Sequence, residues 1–179
     1  MAPVTTAPEH VVLVDEHDAE VGTAEKLSVH RSGALHRAFS VFVFDESGRL
    51  LLQRRATTKY HSAGLWSNTC CGHPRPGEGT SDAAHRRLRE EFGFTCPLRH
   101  IGSFTYQAAL TNGLVEHELD HVFTGQFDGA PTPHPDEVAE WRWIDVKDLE
   151  QEFASFPHTF TVWFEPAWTC LRSAEPIFE

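Results

Sequence analysis

No apolar run in the 179 residues approaches the roughly 20 that a membrane-spanning helix needs. The opening MAPVTTAPEH has neither a basic nor an apolar stretch and does not read as a secretory signal. Cysteine is sparse. Cys70, Cys71, Cys96 and Cys170 include no C-x-x-C pair, which excludes a cysteine zinc knuckle, and a disulfide between adjacent Cys70 and Cys71 would be strained. Free thiols suit a reducing cytoplasm, the expected location. Basic residues are the minority charge: 15 Lys and Arg stand against 26 Asp and Glu, for a net charge of −11. That balance argues against nucleic acid or an anionic membrane as a partner. Internal repeats and low-complexity tracts are absent too.

What remains is the composition of an ordinary globular domain, 40% apolar, with 13 Phe and 5 Trp. The length predicts a flexible tail at 1–9 and a single domain over 10–179. Residues 49–99 hold nine basic and four acidic side chains, a setting for a small anionic ligand. Histidine is the outlier at 12 residues, more than one site uses.

The patterning predicts an α+β fold with a mixed sheet flanked by helices. Strands are expected at 10–15, 38–44 and 50–54, with a polar turn at 15–22, a hairpin turn at Asp45-Glu46-Ser47-Gly48 and a loop at 56–69. Two more, 101–107 and 114–127, flank Asn112-Gly113, and a short one falls at 141–144. Residues 80–92 predict the best helix. Ala84, Leu88 and Phe92 make its apolar stripe, Thr80, Ser81 or Asp82 can cap it, and Gly93 suits its left-handed end. Arg87 and Glu91 form a second row, one turn apart. Asp145 should cap a helix bearing Leu149 and Phe153; 158–171 reads as a last helix that Pro166 kinks or breaks. On strand 114–127, Glu116, Glu118 and Asp120 share one face, and His117, Leu119, His121 and Phe123 the other.

The stretch GHPRPGEGTSDAAHRRLREEFGF, residues 72–94, resembles the Nudix box. Gly72, Glu78, Arg86, Leu88, Glu90, Glu91, Gly93 and Phe94 all fall in its register. In such a box a loop leads into a helix whose carboxylates hold Mg²⁺ against a diphosphate. Arg87 stands where Nudix hydrolases carry a metal-binding glutamate, which makes diphosphate hydrolysis doubtful. Further motifs narrow the resemblance: AEKLSVH (24–30), LHRAFSVFVF (35–44), RRATTKYHSAGLWSN (54–68), TCCGHP (69–74), FTYQA (104–108) and GLVEHEL (113–119). Together they resemble type I isopentenyl-diphosphate isomerase, over residues 10–170.

That reaction delivers a proton to an unactivated alkene and removes another two carbons away, through a short-lived tertiary cation. It needs an acid and a base around a dry pocket. The resemblance assigns those roles to Cys71 and Glu118, and the Cys-Gly-His-Pro register favours Cys71 over Cys70. Glu116 and Glu118 leave one strand face about 7 Å apart, within reach of one metal. The resemblance adds His30, His36 and His73 as companion ligands. Three imidazoles and two carboxylates suit Mn²⁺, Mg²⁺ or Zn²⁺. Glu91 is expected on a second Mg²⁺, carried by the substrate diphosphate. Lys26, Arg55, Lys59 and Arg87 match diphosphate-holding positions. Tyr106 should donate to Glu118 or to the reacting face. Trp163 should lend its π-face to the cation. His85, His100, His117, His121, His134 and His158 are expected to be structural or on the surface. The partner is a small-molecule diphosphate, and the state monomer or homodimer. Two other functions compete: a Nudix hydrolase of nucleoside diphosphate derivatives, and a metal-binding or nucleotide-sensing module without catalysis.

Overall fold

A computed structural model describes residues 9–174. β1 (His10–Val14) and β2 (Glu20–Glu25) form a hairpin, followed by a short helix, α1 (Lys26–Ser32). Then come β3 (His36–Phe44), β4 (Leu50–Arg55), β5 (Trp66–Ser67) and β6 (Cys70–Gly72). Helix α2 (Thr80–Phe92) leads to β7 (Leu98–Ala109), β8 (Val115–Gln126) and β9 (Val138–Ile144). The chain closes with α3 (Val146–Ser155) and α4 (Phe164–Ala174).

Strand β3 is the hub of one mixed sheet. It pairs in parallel with β8 along its whole length. It meets β1, β6 and β4 in antiparallel pairing at His36, at residues 39–41 and at Phe44. β7 extends the sheet beyond β8, and β9 beyond β4. Near-continuous apolar residues in β3 are the mark of a strand buried on both faces. Phe39, Val41 and Val43 pack under α2 with Ala83, Ala84, Leu88 and Phe92. Phe42 and Phe44 pack on the other face with Leu149 of α3 and Phe164 and Leu171 of α4. Each such buried side chain contributes roughly 1.5–3 kcal/mol. Helices therefore flank the sheet on both faces, as the patterning predicts. No helix among the described residues is long and apolar enough to cross a membrane.

Several local expectations change. Glu20 begins β2 inside the stretch expected as a turn, and α1 is a helix that the sequence pattern does not predict. The loop expected at 56–69 contains β5. Gly79, with no side-chain bond, occupies the N-cap of α2. Gly93 does end that helix at φ 71°; a Cβ there would meet Thr132 O at 3.0 Å. Pro166 does not break the last helix. It sits in the first turn of α4, where a missing N–H costs nothing. Residues 1–8 of the expected tail lie outside the described residues. Glu9 is held: its carbonyl accepts from Lys26 N at 2.8 Å and its carboxylate from Lys26 Nζ at 3.0 Å.

Candidate active site and metal centre

Register builds the site. His36 lies opposite Glu118 across the β3–β8 pair, Tyr106 opposite Glu118 across β7–β8, and Ser40 opposite Cys71 across β3–β6. Side chains alternate along strands, so one sheet face gathers these groups. Cys70 falls on the opposite face, fully buried in the core under α2. Helix α1 supplies His30. Its first turn is fixed by the Glu25 carboxylate, which accepts from the Leu27 and Ser28 N–H groups. A cavity of about 410 Å³ opens over this face. Cys71, Glu118, His73, Trp163, Lys26 and Arg87 are among its walls.

The histidines have fixed tautomers. His30 Nδ1 donates to Lys26 O at 2.7 Å, and His36 Nδ1 to Ala34 O at 3.0 Å. Their Nε2 lone pairs are therefore free to bind a cation. Neither Nε2 atom has a hydrogen-bond partner among the described residues, nor has Glu116 Oε2. His30 Nε2 stands 3.2 Å from that carboxylate oxygen, and His36 Nε2 3.5 Å from Glu118 Oε1. His73 Nε2 lies 2.8 Å from the same Glu118 oxygen, and Tyr106 donates to Glu118 Oε2 at 2.7 Å. Buried lone pairs aimed at one another are costly without a cation between them. The donor set thus fits a divalent ion. Donor atoms of His30, His36, His73 and Glu118 all lie within 4.8 Å of one another. Glu116, expected in that same set, groups instead with His30 and His61.

Burial shapes the protonation states. Glu118 is buried, which opposes ionisation, yet His36 and His73 outweigh this and hold its carboxyl well below the usual range. Burial and then the Glu118 charge raise Glu116. Burial also pushes the Cys71 thiol up to about 12, with Arg55 pulling the other way. Burial lowers His73 to about 4, against the pull of Glu118. Asp120, hydrogen-bonded by Ser40 Oγ at 2.8 Å, is raised by burial and then by Glu118.

A cationic wall adjoins the thiol. Arg55 Nη1 approaches Cys71 Sγ at 3.9 Å, and its guanidinium lies 5.2 Å from the Trp163 ring centre. Arg87 Nη2 donates to Glu91 at 2.6 Å and to Glu137 at 2.9 Å; Lys59 also pairs with Glu137. Gln53 fixes the other Glu91 oxygen at 2.8 Å. Trp163 presents its ring to the cavity while its Nε1 donates to Ser67 Oγ at 3.0 Å. All the residues proposed from sequence meet around this cavity or directly behind it. His117 and His121 do turn away, to Gly33 O and to Asp18. Glu78 and Arg86 of the box make a two-pronged pair, 2.7 and 2.9 Å, that ties the loop to α2.

The sequence pattern singles out neither His61 nor Glu137. His61 sits in a turn where no periodicity marks it, 3.4 Å from Glu116 Oε1. Glu137 precedes β9 in a Pro-rich loop and reads as solvated. Asp120 shows its signal: it continues the period-two row of Glu116 and Glu118.

The NUDIX domain family matches residues 34–164. Isopentenyl-diphosphate Delta-isomerase 2 of Photorhabdus laumondii is 55% identical over 157 residues, covering 88% of this chain and 89% of its own. The Burkholderia multivorans Isopentenyl-diphosphate Delta-isomerase is 56% identical over 156 residues, covering 87% and 89%. Among solved structures, DR0079 from Deinococcus radiodurans superposes with a TM-score of 0.76 at 21% identity. It covers 92% of this chain and all of its own, and shows the fold alone. With the NUDIX match and relatives of 55–56% identity over most of its length, the chain belongs to the isopentenyl-diphosphate Delta-isomerase family.

Proposed function

We infer that the protein interconverts isopentenyl diphosphate and dimethylallyl diphosphate by two proton transfers. One observation carries this most: a thiol and an ionised carboxylate, Cys71 and Glu118, line one cavity beside the Nudix helix. Hydrolysis needs no such pair. Arg87, where hydrolases keep a carboxylate, now clamps Glu91 instead.

The terminal methylene of the alkene gains a proton from one member of the pair. The neighbouring tertiary carbon carries the positive charge. The other member then takes a proton from the next carbon, and the double bond has moved. Trp163 offers its ring face to the cation. Tyr106 fixes the rotation of Glu118. Lys26, Arg55, Lys59 and Arg87 hold the diphosphate oxygens, with Glu91 directed at the Mg²⁺ that the diphosphate carries. His30, His36, His73 and Glu118, with Glu116 beside them, would hold Mn²⁺, Zn²⁺ or Mg²⁺. Such an ion supplies positive charge that orients Glu118 and tunes its basicity. The chain works in the cytoplasm, where its thiols stay reduced, as a monomer or homodimer.

The test is isomerisation in D₂O with Mg²⁺. Product and recovered substrate should both gain deuterium at carbon. Stoichiometric phosphate release without carbon deuteration would overturn the assignment in favour of a hydrolase.

A further inference from the structure

We propose that His100 and His121 form a two-histidine clamp for a divalent transition ion, on the sheet face turned away from the catalytic cavity, with Asp18 orienting it. His121 leaves β8 on the face opposite Glu116 and Glu118. His100 of β7 is paired with Phe123 and so shares the His121 face. Diagonal neighbours on adjacent strands lie within reach of long side chains. The register shifts between His100 and Gly102, and such a bulge re-aims a side chain. His100 Nε2 stands 3.1 Å from His121 Nδ1. Neighbouring ligands on one ion with bonds near 2.1 Å stand about 3 Å apart, so this spacing suits coordination.

The support behind His121 is that of a metal ligand. Its Nε2–H donates to Asp18 Oδ2 at 2.9 Å, which fixes the tautomer and aims the Nδ1 lone pair at His100. A carboxylate behind an imidazole orients the ring and raises its basicity toward a metal. Asp18 is itself pinned: Arg37 donates to its Oδ1 at 2.7 Å and to its carbonyl at 2.6 Å. Its φ of 63° lies in the left-handed region, which Asp tolerates. Burial holds the His121 ring below its ordinary pKa, against the pull of Asp18, so the ring is neutral near pH 7.

His100 supplies the adjustable half. Its side chain is exposed, so the ring can turn and water can fill the remaining coordination positions. Without an ion, His100 Nε2–H donates to His121 Nδ1. When an ion takes the place of that proton, the proton moves to His100 Nδ1, and both rings bind as neutral ligands. Imidazole pairs suit Zn²⁺, Cu²⁺ or Ni²⁺ and not Mg²⁺. The clamp shares no residue with the cluster of His30, His36, His73, Glu116 and Glu118. A bound ion would join β7 to β8 and, through Asp18, to the turn between β1 and β2.

Equilibrium dialysis of the full chain against buffered free Zn²⁺ tests this, with bound zinc counted per chain. Four proteins are compared: the unaltered chain, His100→Gln, His121→Gln and Asp18→Asn. The unaltered chain should bind one Zn²⁺ more than either histidine variant. Asn suits the same backbone and keeps an oxygen for Arg37, so Asp18→Asn isolates the carboxylate charge. It should hold the extra ion at least ~10-fold more weakly. All four proteins keep the catalytic cluster and the other surface histidines, so zinc bound there cancels in the difference. His100 is exposed and its replacement leaves the core untouched; thermal unfolding checks the other two. Equal zinc content in the unaltered chain and His100→Gln overturns the clamp. Unchanged affinity in Asp18→Asn overturns the orienting part of Asp18.

Discussion

Ser40 stands opposite Cys71 in the antiparallel pair of β3 and β6, which puts Val41 opposite Cys70. One residue of register therefore separates a thiol in the cavity from a thiol in the core. Cys71→Ala should reduce turnover at least ~10²-fold, the lower range for a positioned acid or base. Cys70→Ala should leave turnover close to normal and cost about 1 kcal/mol of stability from lost packing. Steady-state rates and urea unfolding of both variants check this. An essential Cys70 with a dispensable Cys71 would reverse the assignment.

Trp163 is held by Ser67 and Asn68 through its indole N–H and packs its ring against the cavity. Trp163→Phe should keep more activity than Trp163→Leu, since only an aromatic face carries the quadrupole that attracts a cation. Equal rates in the two, at equal thermal stability, would reduce Trp163 to a packing residue.

Metal removal should lower stability. An ion bound only by the folded chain adds about 2.7 kcal/mol at a hundredfold excess over its Kd. For a domain of this size that corresponds to about 5–10 °C in Tm. Thermal scans after EDTA treatment, and again after Mn²⁺ is restored, give the shift directly. No change in either step would count against a metal centre at His30, His36, His73 and Glu118.

The Glu78–Arg86 pair predicts an acid-sensitive loop. The hydrogen bond from Arg86 holds the Glu78 carboxyl below its ordinary value, against the opposing effect of burial. A carboxylate with a depressed folded pKa contributes stability above its unfolded value, near 4.5. That contribution is lost as pH falls through the folded value. Glu78→Gln should cost about 1.5–3 kcal/mol at pH 7 and progressively less as the pH falls below 4.5. Urea midpoints across that range should converge toward acid; a constant difference would refute the linkage.

Much of this was legible in the sequence, where regular patterns reach over several turns or pleats. Helix α2 could be read end to end, because Ala84, Leu88 and Phe92 repeat on one face and Gly93 closes it. The carboxylate row of β8 could be read from its period of two. β2 could not: EVGTAE has no alternation to betray a strand, and pairing with β1 decides it. Helix α1 is only seven residues long and owes its start to the Glu25 side chain, a rare cap. His61 reaches Glu116 of β8, and Glu137 reaches Lys59 and the α2 residue Arg87, through tertiary contacts. No local pattern encodes such contacts.

The parallel register that sets His36 against Glu118 also dictates when the centre can exist during synthesis. Parallel neighbours cannot be joined by a hairpin, and here four other strands and a helix, α2, intervene. A nascent chain that has emerged through His73 already carries His30, His36, His61 and Cys71 as well, but neither Glu116 nor Glu118. Glu116 and Glu118 thus join the imidazoles only once β8 has emerged and docked, a long-range closure that folds late. Truncated or stalled chains hold thiol and imidazoles without their counter-charge. The full set of imidazoles and carboxylates therefore exists only in chains whose sheet is complete.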